Sequence, residues 1–348
     1  MHIIRKLKSF LKADHSFKII RKPNYNLLKY KKQQSKFTVQ KLGKKNPNKI
    51  FYIISRTPGA GLFSNVIFVL HHLDIAEKKK FIPVVDMQNF PNFYNEAQKI
   101  ENTFNSWNYY FDPVSKYKLK DIYKSKKVVF AHNRITKKYN YSVCEKKKFL
   151  NLFKKYIKVR KKHLLKINKI RKDYFNINKK IVGIHFRGTS FKTSAGHTFP
   201  ATLKQIKNVI NKLIEKKYEK IFLCTEEKKY FDILNKVYKN KVLFLNTYRS
   251  NTNNAFKIYP RKNHRYRLGK EILFETILLS SCDMFVYIQS NVSEFVKMFN
   301  VNKNQKRICI NNGFNSKNEY IASWLWYVKK SLPSFLGGFN TFEKFKFD

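Results

Sequence analysis

Apolar and polar residues follow two different spacings along most of this chain. Short apolar runs at residues 51–55, 181–184 and 221–224 are rich in β-branched or aromatic side chains, which is typical of buried strands. The stretches between them carry apolar residues three or four positions apart, which predicts helices. Strands and helices that alternate in this way predict a doubly wound α/β protein, and 348 residues suffice for two such domains.

The remaining elements follow from the same spacings. Strands are also predicted at 81–86, 242–245 and 283–288, and helices after Ser64 and at 145–178, 201–217, 230–238, 270–280, 291–299 and 320–330. The expected domains are a basic extension at 1–49, a Rossmann-like domain with a helical linker at 50–178, a second one at 179–316, and a C-terminal helix and tail at 317–348. We expect that helix to cross back over the domains, with Trp324, Leu325 and Val328 toward one side.

Residues 181–200 carry the densest candidate chemistry. Side chains alternate along a strand, so His185 and Arg187 are expected on one face, and Gly188 lets the backbone turn where the guanidinium emerges. A guanidinium can give a phosphate or pyrophosphate two parallel hydrogen bonds, and parallel sheets bind ligands at the carboxyl ends of their strands. We therefore predict an anion site at Arg187. An ordinary surface arginine in a lysine-rich chain is the alternative.

A glycine-containing loop follows the first predicted strand and precedes a helix. Its tight turn and N-cap are predicted from Pro58, Gly59, Gly61 and Ser64. Asn65 would stand in the first helical turn and point toward a ligand, because amide groups at a helix N-terminus favour an anion or a sugar hydroxyl. Many α/β units begin in this way, so the loop alone does not define a site.

Other predicted strands also end in polar residues. Asp86 ends the second predicted strand, and Thr225 and Glu226 follow the strand at 221–224. The last strand is joined to its helix by small hydroxyl and amide residues, which predict a second anion cradle beside Arg187: Ser290, Asn291, Val292 and Ser293. Helix capping alone is the alternative explanation for these serines.

The formal net charge of +51, from 73 Lys and Arg against 22 Asp and Glu, raises nucleic acid or an anionic membrane as a partner. The lysines are spread along the whole chain, however, and no zinc-knuckle, aromatic-glycine RNA or basic leucine-zipper pattern accompanies them. We therefore expect no specific nucleic acid. A compositional bias toward lysine is the alternative explanation for the charge.

Five segments, taken together, resemble the inverting fucosyltransferase superfamily, which includes α1,6-, α1,2- and protein O-fucosyltransferases. They are GAGLFSN, FIPVVD, VGIHFRGTS, FLCTEE and LLSSCDMFVYIQSNVSEFV, in the family's order. The resemblance implies a GT-B-like pair of Rossmann-like domains, the first facing the acceptor and the second binding the donor. The implied activity is inverting transfer of fucose from GDP-fucose to a glycan hydroxyl.

The resemblance also implies roles for residues. The arginine that contacts the donor pyrophosphate corresponds to Arg187, and Asn65 corresponds to an asparagine near the sugar and diphosphate. Thr225 and Glu226 would lie near the nucleoside. The Ser290 turn would hold phosphate or ribose, and the other implied donor contacts are Gly61, Phe63, His185, Gly188, Asn291, Val292 and Ser293.

The chain departs from the family's pattern where a catalytic base is concerned. Ser190 stands where the family often has Asp, and Ala195 lies near the position of the glutamate base of the α1,6 enzymes. We expect His197 to act as base instead, because imidazole titrates near neutrality, with Asp86 as the alternative.

No DxD motif is present, so we expect no metal and no cofactor, with the GDP-sugar as donor substrate. Neither a signal peptide nor a membrane span is predicted. We therefore expect a cytoplasmic enzyme, with a nucleotide sugar and a glycan acceptor as partners. Lysines of residues 1–49 would make peripheral contact with the inner membrane face. Another GDP-sugar transferase, or a non-catalytic protein that binds nucleic acid or anionic membrane, is the alternative.

Overall fold

The structure, a computed structural model, describes residues 20–32, 37–132, 143–175 and 178–340. These residues form two compact units. The N-terminal unit ends at residue 166 and also contains residues 259–273, and the C-terminal unit contains residues 167–258 and 274 onward. Residues 1–19 and 33–36 of the predicted membrane-contacting segment at 1–49 lie outside the described residues.

The N-terminal unit is built on a parallel three-stranded sheet in the order β2-β1-β3. Its strands are β1 (Lys45–Ile54), β2 (Ile82–Val85) and β3 (Ser125–Phe130). Helix α2 (Leu62–Lys78) follows β1 and is apolar on nearly all sides, so most of its residues are buried. The glycine loop follows the carboxyl end of β1, and Asp86 follows the carboxyl end of β2.

The C-terminal unit contains a parallel five-stranded sheet in the order β6-β5-β4-β7-β8. The strands are β4 (Ile181–His185), β5 (Lys220–Cys224), β6 (Val242–Leu243), β7 (Met284–Tyr287) and β8 (Lys306–Cys309). From β4 the chain adds strands first on one side and then on the other, so the strand order reverses between β4 and β7. Open parallel sheets bind ligands at such a switch point.

Helices surround both sheets, which confirms the predicted α/β class with two Rossmann-like units. Besides α2, they are α1 (Tyr25–Lys32), α3 (Leu119–Ile122), α4 (Val143–Tyr156), α5 (Lys161–Phe175), α6 (Leu203–Glu215), α7 (Lys228–Tyr238), α8 (His264–Leu279), α9 (Asn291–Phe299) and α10 (Glu319–Ser331). The division between the units falls within α5 and α8.

A glycine at the centre of β4 is required by close packing. A Cβ atom at Gly183 would lie 2.7 Å from Cys282 Sγ and 2.9 Å from Leu279 Cδ2. The end of α8 therefore sits directly against the strand that leads to Arg187, and only glycine leaves room for it.

Several sequence-based expectations are corrected. The long helix expected at 145–178 is two helices, α4 and α5, and α8 begins six residues earlier than expected. Gly61, not Ser64, occupies the N-cap of α2.

The packed side of α10 is also different from the one expected. Ala322 and Trp326 are its buried residues, whereas Trp324 and Val328 are exposed. Trp326 packs with Phe199 in the C-terminal unit, and its indole donates a hydrogen bond to the carbonyl oxygen of Pro200 at 3.1 Å. The helix is therefore fixed on the unit to which it belongs.

Candidate functional site

The switch point of the five-stranded sheet brings two of the predicted anion-binding segments next to each other. β4 and β7 are hydrogen-bonded neighbours, with Ile184 opposite Val286. Arg187 follows the end of β4, and the Ser290 turn follows the end of β7. Because carboxyl ends of parallel strands meet at one edge of the sheet, both segments lie at that edge.

Arg187 is held between an aromatic ring and a carboxylate. Its guanidinium carbon lies 4.3 Å from the centre of the Phe191 ring, and Nε is 3.6 Å from Glu226 Oε1. That separation is too long for a hydrogen bond, so Nε, which is buried, has no hydrogen-bond partner among the described residues. The side chain is 22% exposed. The guanidinium forms no hydrogen bond with any described residue, and a cation of this shape at the sheet edge suits an anionic ligand.

The loop after Arg187 is shaped by two carboxylates from the end of β5. The amide of Gly188 donates to Glu226 Oε1 at 2.9 Å, and the amide of Thr189 donates to Glu227 Oε2 at 2.9 Å. A Cβ atom on Gly188 would lie 2.1 Å from Glu227 Oε2. The glycine is thus required by the close approach of Glu227. The strained backbone, with a φ of 31°, is at Thr189 instead.

Lys192 completes this arrangement and was not singled out from the sequence. Its ammonium donates to both oxygens of Glu227, at 2.6 and 2.7 Å, and both side chains are buried. The ammonium also lies 4.5 Å from the ring of Tyr230 and 5.1 Å from that of Trp326. The chain of contacts therefore connects α10 to the backbone beside Arg187.

Phe191 connects Arg187 to the predicted base, His197. The rings of Phe191 and His197 are 5.3 Å apart between centroids. Although the His197 side chain reaches solvent, its packed surroundings and then the charge of Arg187 lower its pKa below the ordinary 6.5. The imidazole is therefore neutral at neutral pH and has the form that can accept a proton.

His185 is not presented to a ligand. It ends β4 with only 4% of its surface exposed, and burial, together with the charge of Arg187, lowers its pKa to about 3. Thr225 is likewise buried, and its hydroxyl accepts the amide of Glu227 at 3.3 Å. Of these two predicted donor contacts, His185 therefore packs inside the C-terminal unit, and Thr225 stabilises the turn after β5.

The Ser290 turn is an N-cap that leaves backbone donors available. Ser290 Oγ accepts the amide of Ser293 at 3.2 Å, and Ser293 Oγ accepts the amide of Ser290 at 2.9 Å. The amides of Asn291 and Val292, in the first turn of α9, have no hydrogen-bond partner among the described residues. The helix cap and the predicted anion site are therefore compatible. The cap is formed by the side chains of Ser290 and Ser293, and the amides of Asn291 and Val292 remain available to an anion.

In the N-terminal unit, Asn65 was expected to point toward a ligand, but its side chain forms hydrogen bonds within the glycine loop. Its Nδ2 donates to the carbonyl oxygen of Ala60 at 3.0 Å, and its Oδ1 accepts the Ala60 amide at 3.0 Å. Arg56 Nη1 donates to Ser64 and lies 3.3 Å from Asn65 Oδ1. Sequence reasoning missed Arg56, although it stands two residues after the end of β1. Of the other expected contacts, Phe63 is buried, and a Cβ atom on Gly61 would meet nothing within 4 Å.

Asp86 is fully buried and its oxygens are occupied. Oδ1 accepts the amides of Gln88 and Asn89 at 2.9 Å each, and Oδ2 accepts the Asn89 side chain at 2.9 Å and the Tyr123 hydroxyl at 2.5 Å. Both oxygens therefore hold the turn after β2. This environment does not suit a base that must receive a proton from an acceptor.

Near the end of β1 lies a buried lysine from a region that was expected to be a basic extension. Lys31 Nζ donates to the carbonyl oxygen of Ser55 at 2.5 Å and to its hydroxyl at 2.8 Å. Burial lowers its pKa to about 7, and the negative charge of Asp86 partly opposes this. Helix α1 is thereby anchored on the sheet of the N-terminal unit.

The described residues contain neither a metal-binding cluster nor a membrane-spanning helix. No group of three or more His, Cys, Asp and Glu residues in this part of the chain is placed to hold a metal ion. Within the same residues, no helix is long and apolar enough to cross a membrane.

Comparison with known proteins gives matches among solved structures. No protein-family model and no curated protein sequence matches the chain. Solved structures of fucosyltransferases are among those that resemble it. One is NodZ α-1,6-fucosyltransferase co-crystallised with GDP, at 16% identity and a TM-score of 0.48, covering 76% of this chain and 96% of that one. Fucosyltransferase NodZ from Bradyrhizobium gives the same coverage at 15% identity and a TM-score of 0.48.

Two other similar structures carry related names. POFUT1 in complex with GDP has 12% identity and a TM-score of 0.42, covering 73% of this chain and 95% of that one. A variant of Arabidopsis thaliana FUT1 in complex with GDP has 12% identity and a TM-score of 0.41, covering 89% of this chain and 79% of that one.

Proposed function

We propose that this protein is a glycosyltransferase whose C-terminal unit binds a nucleotide-sugar donor at the switch point between β4 and β7. The observation that carries the proposal is the position of Arg187, which forms no hydrogen bond with any described residue, at the same sheet edge as the free amides at the start of α9. A planar cation and helix N-terminal amides together form a site for a diphosphate. The resemblance of the five sequence segments supports GDP-fucose as the donor and an inverting reaction.

In the proposed reaction, an acceptor hydroxyl attacks the anomeric carbon while the bond from that carbon to the diphosphate oxygen breaks. Negative charge grows on the departing GDP, and Arg187 stabilises it by hydrogen bonds that strengthen as the charge develops. The amides of Asn291 and Val292 would add backbone donors. Phe191 keeps the guanidinium in place by stacking beneath it.

We propose His197 as the base that removes the proton of the acceptor hydroxyl. Its lowered pKa supports this role, because a neutral imidazole is the form that accepts a proton. Asp86 is the weaker candidate, since its oxygens already accept four hydrogen bonds. The fixed charge of Arg187 supports a transfer that needs no metal, so we expect activity to survive a chelator.

We propose that the N-terminal unit binds the glycan acceptor, with Asn65 and Arg56 holding the glycine loop in shape. The support for this part is the sequence resemblance and the rigid bonding of the loop. Asn65 would then act on the reaction through the loop.

A thermal-shift screen with GDP, GDP-fucose, UDP and CMP tests the donor proposal. A ligand that binds the folded state raises the melting temperature, so GDP and GDP-fucose should raise it for the wild type and not for Arg187→Ala. Arg171→Ala, an arginine on α5, is the matched control and should respond like the wild type. A rise in melting temperature with UDP and none with GDP would mean that the donor is a UDP-sugar. If no nucleotide raises the melting temperature, the proposed donor site is wrong.

The competing hypothesis is a non-catalytic protein that binds polyanions through its net charge. Binding of that kind weakens steeply with salt and depends little on one arginine. Retention of radiolabelled fucose in an acceptor pool of mixed glycans, lost with Arg187→Ala and kept with Arg171→Ala, would separate the enzyme from this alternative.

A further inference from the structure

One side of α10 and the segment after it exposes large apolar side chains. Trp324 lies four residues after Tyr320, three before Tyr327 and four before Val328, so these side chains form one stripe on the helix. Phe335, which is 83% exposed, and Leu336 follow just beyond the helix. We call these six residues the C-terminal aromatic surface.

This surface is not the result of a loosely attached helix. The opposite side of α10 is anchored by the buried Trp326, whose indole bonds to Pro200, and its first turn is capped by Asn318, which accepts the amide of Tyr320 at 2.9 Å. A surface helix normally presents polar residues to water. Contiguous exposed apolar residues of this kind mark an interaction site.

We propose that the C-terminal aromatic surface binds the surface of a lipid bilayer that contains anionic lipids. Tyrosine and tryptophan rings have an apolar body and a polar tip, which suits the headgroup region of a membrane. Residues 314–338 contain Lys317, Lys329 and Lys330 against the single acidic residue Glu319. An amphipathic helix with aromatic and basic residues lies in the plane of the interface.

The net charge selects this partner over a second copy of the chain. Each copy has a formal charge of +51, so two copies repel each other at close range, whereas an anionic leaflet attracts the chain. The surface is distinct from the lysines of residues 1–49, and the proposal is independent of the donor site.

The tryptophan content of the chain provides a direct measurement. It has three tryptophans, of which Trp107 and Trp326 are buried, so Trp324 is the one whose emission responds to a membrane. With phosphatidylglycerol/phosphatidylcholine vesicles, we expect a blue shift and quenching by brominated lipid. Vesicles of phosphatidylcholine alone should give little of either. Trp324→Phe should still float with the anionic vesicles while losing the signal.

A flotation assay with the full chain then tests the surface by substitution. Trp324→Ser combined with Phe335→Ser should weaken binding to the anionic vesicles at least about ten-fold, because two large apolar side chains lose their burial. Leu165→Ser combined with Val237→Ser is the matched control, since both residues are exposed and apolar elsewhere on the chain, and it should bind like the wild type.

Three outcomes overturn the proposal. They are wild-type protein that binds no vesicles, a surface variant that binds as tightly as its control, and brominated lipid that does not quench Trp324 in vesicle-bound protein. Sedimentation analysis adds a fourth, a dimer lost in the surface variant without any vesicle binding, which would make a second copy the partner. The quenching measurement uses unmodified protein, so it stands even if a substitution lowers stability.

Discussion

At the scale of single residues, the site depends on which polar groups are already paired. Asn65 and Asp86 looked like ligand-facing residues from their positions after strands, but both use their side chains to close the turns in which they lie. Arg187 is ion-paired with Glu226 but forms no hydrogen bond with any described residue. The sequence shows which polar residues stand near strand ends. Only the hydrogen bonds in the structure show which of these side chains can still bind a ligand.

The first prediction concerns the geometry of the Arg187 side chain. Arg187→Lys keeps the charge but loses the planar fork and the stacking on Phe191, so we expect it to reduce kcat/KM nearly as much as Arg187→Ala. Loss of one such donor costs roughly 100- to 1,000-fold. Initial rates of fucose transfer for the two variants, with Arg171→Lys as the control, give the measurement. Near-normal transfer by the lysine variant would mean that charge alone suffices.

The second prediction concerns the pH dependence that His197 imposes. The base must be neutral, and its pKa is lowered, so transfer should decline on the acid side only below the ordinary histidine value of 6.5. His197→Gln should abolish this acid limb and reduce kcat while GDP still raises the melting temperature. A pH–rate profile of both proteins tests this. An unchanged acid limb in the variant would assign the proton transfer to another group.

At the scale of elements, the central strands and the edge strands β2 and β6 could be predicted, whereas the edge strands β3 and β8 could not. β4, β5 and β7 appear as apolar runs because both of their faces are covered. β3 and β8 lie at the edges of their sheets, and each has two basic residues in its first half, which interrupt the apolar run. Lysines are common on edge strands, since they discourage pairing with other chains.

The loop after β4 shows why its details escaped prediction. Its shape depends on Glu226, Glu227 and Lys192, which come from two separate parts of the chain and meet only in the folded unit. Gly188 was singled out from the sequence because glycine lets a backbone turn. The structure gives a different reason for glycine at this position, since a carboxylate oxygen of Glu227 occupies the space that a side chain would need.

The third prediction follows from that close contact. Gly188→Ala should destabilise the protein by about 1–3 kcal/mol and weaken GDP binding, because the new methyl group pushes Glu227 away from the Thr189 amide. Gly61→Ala is the control for stability, since its Cβ would meet nothing within 4 Å, and it should change stability little. Urea unfolding compares the stability of the two variants, and GDP titration compares Gly188→Ala with the wild type. Equal behaviour of the two variants would contradict the packing described for the loop.

At the scale of the whole molecule, the excess of positive charge is carried by lysines spread over both units. Few acidic residues are available to pair with them, since the chain has 22 Asp and Glu against 73 Lys and Arg. The composition could be read from the sequence, and so could the two α/β units, because both depend on average properties of long stretches. The exposed aromatic stripe on α10 could not, because the same spacing of apolar residues predicts a packed face.

The last prediction concerns the effect of this charge on stability. Like charges repel more strongly in the compact state than in the expanded one, and salt screens them over about 30 Å at 0.01 M but about 8 Å at 0.15 M. The melting temperature should therefore rise when sodium chloride is increased over this range. Bound anions at the proposed donor site could also stabilise the protein, so Arg187→Ala is measured beside the wild type. Equal rises in both proteins indicate general screening, whereas a rise confined to the wild type would place the effect at Arg187, and a flat or falling melting temperature would show that repulsion does not limit stability.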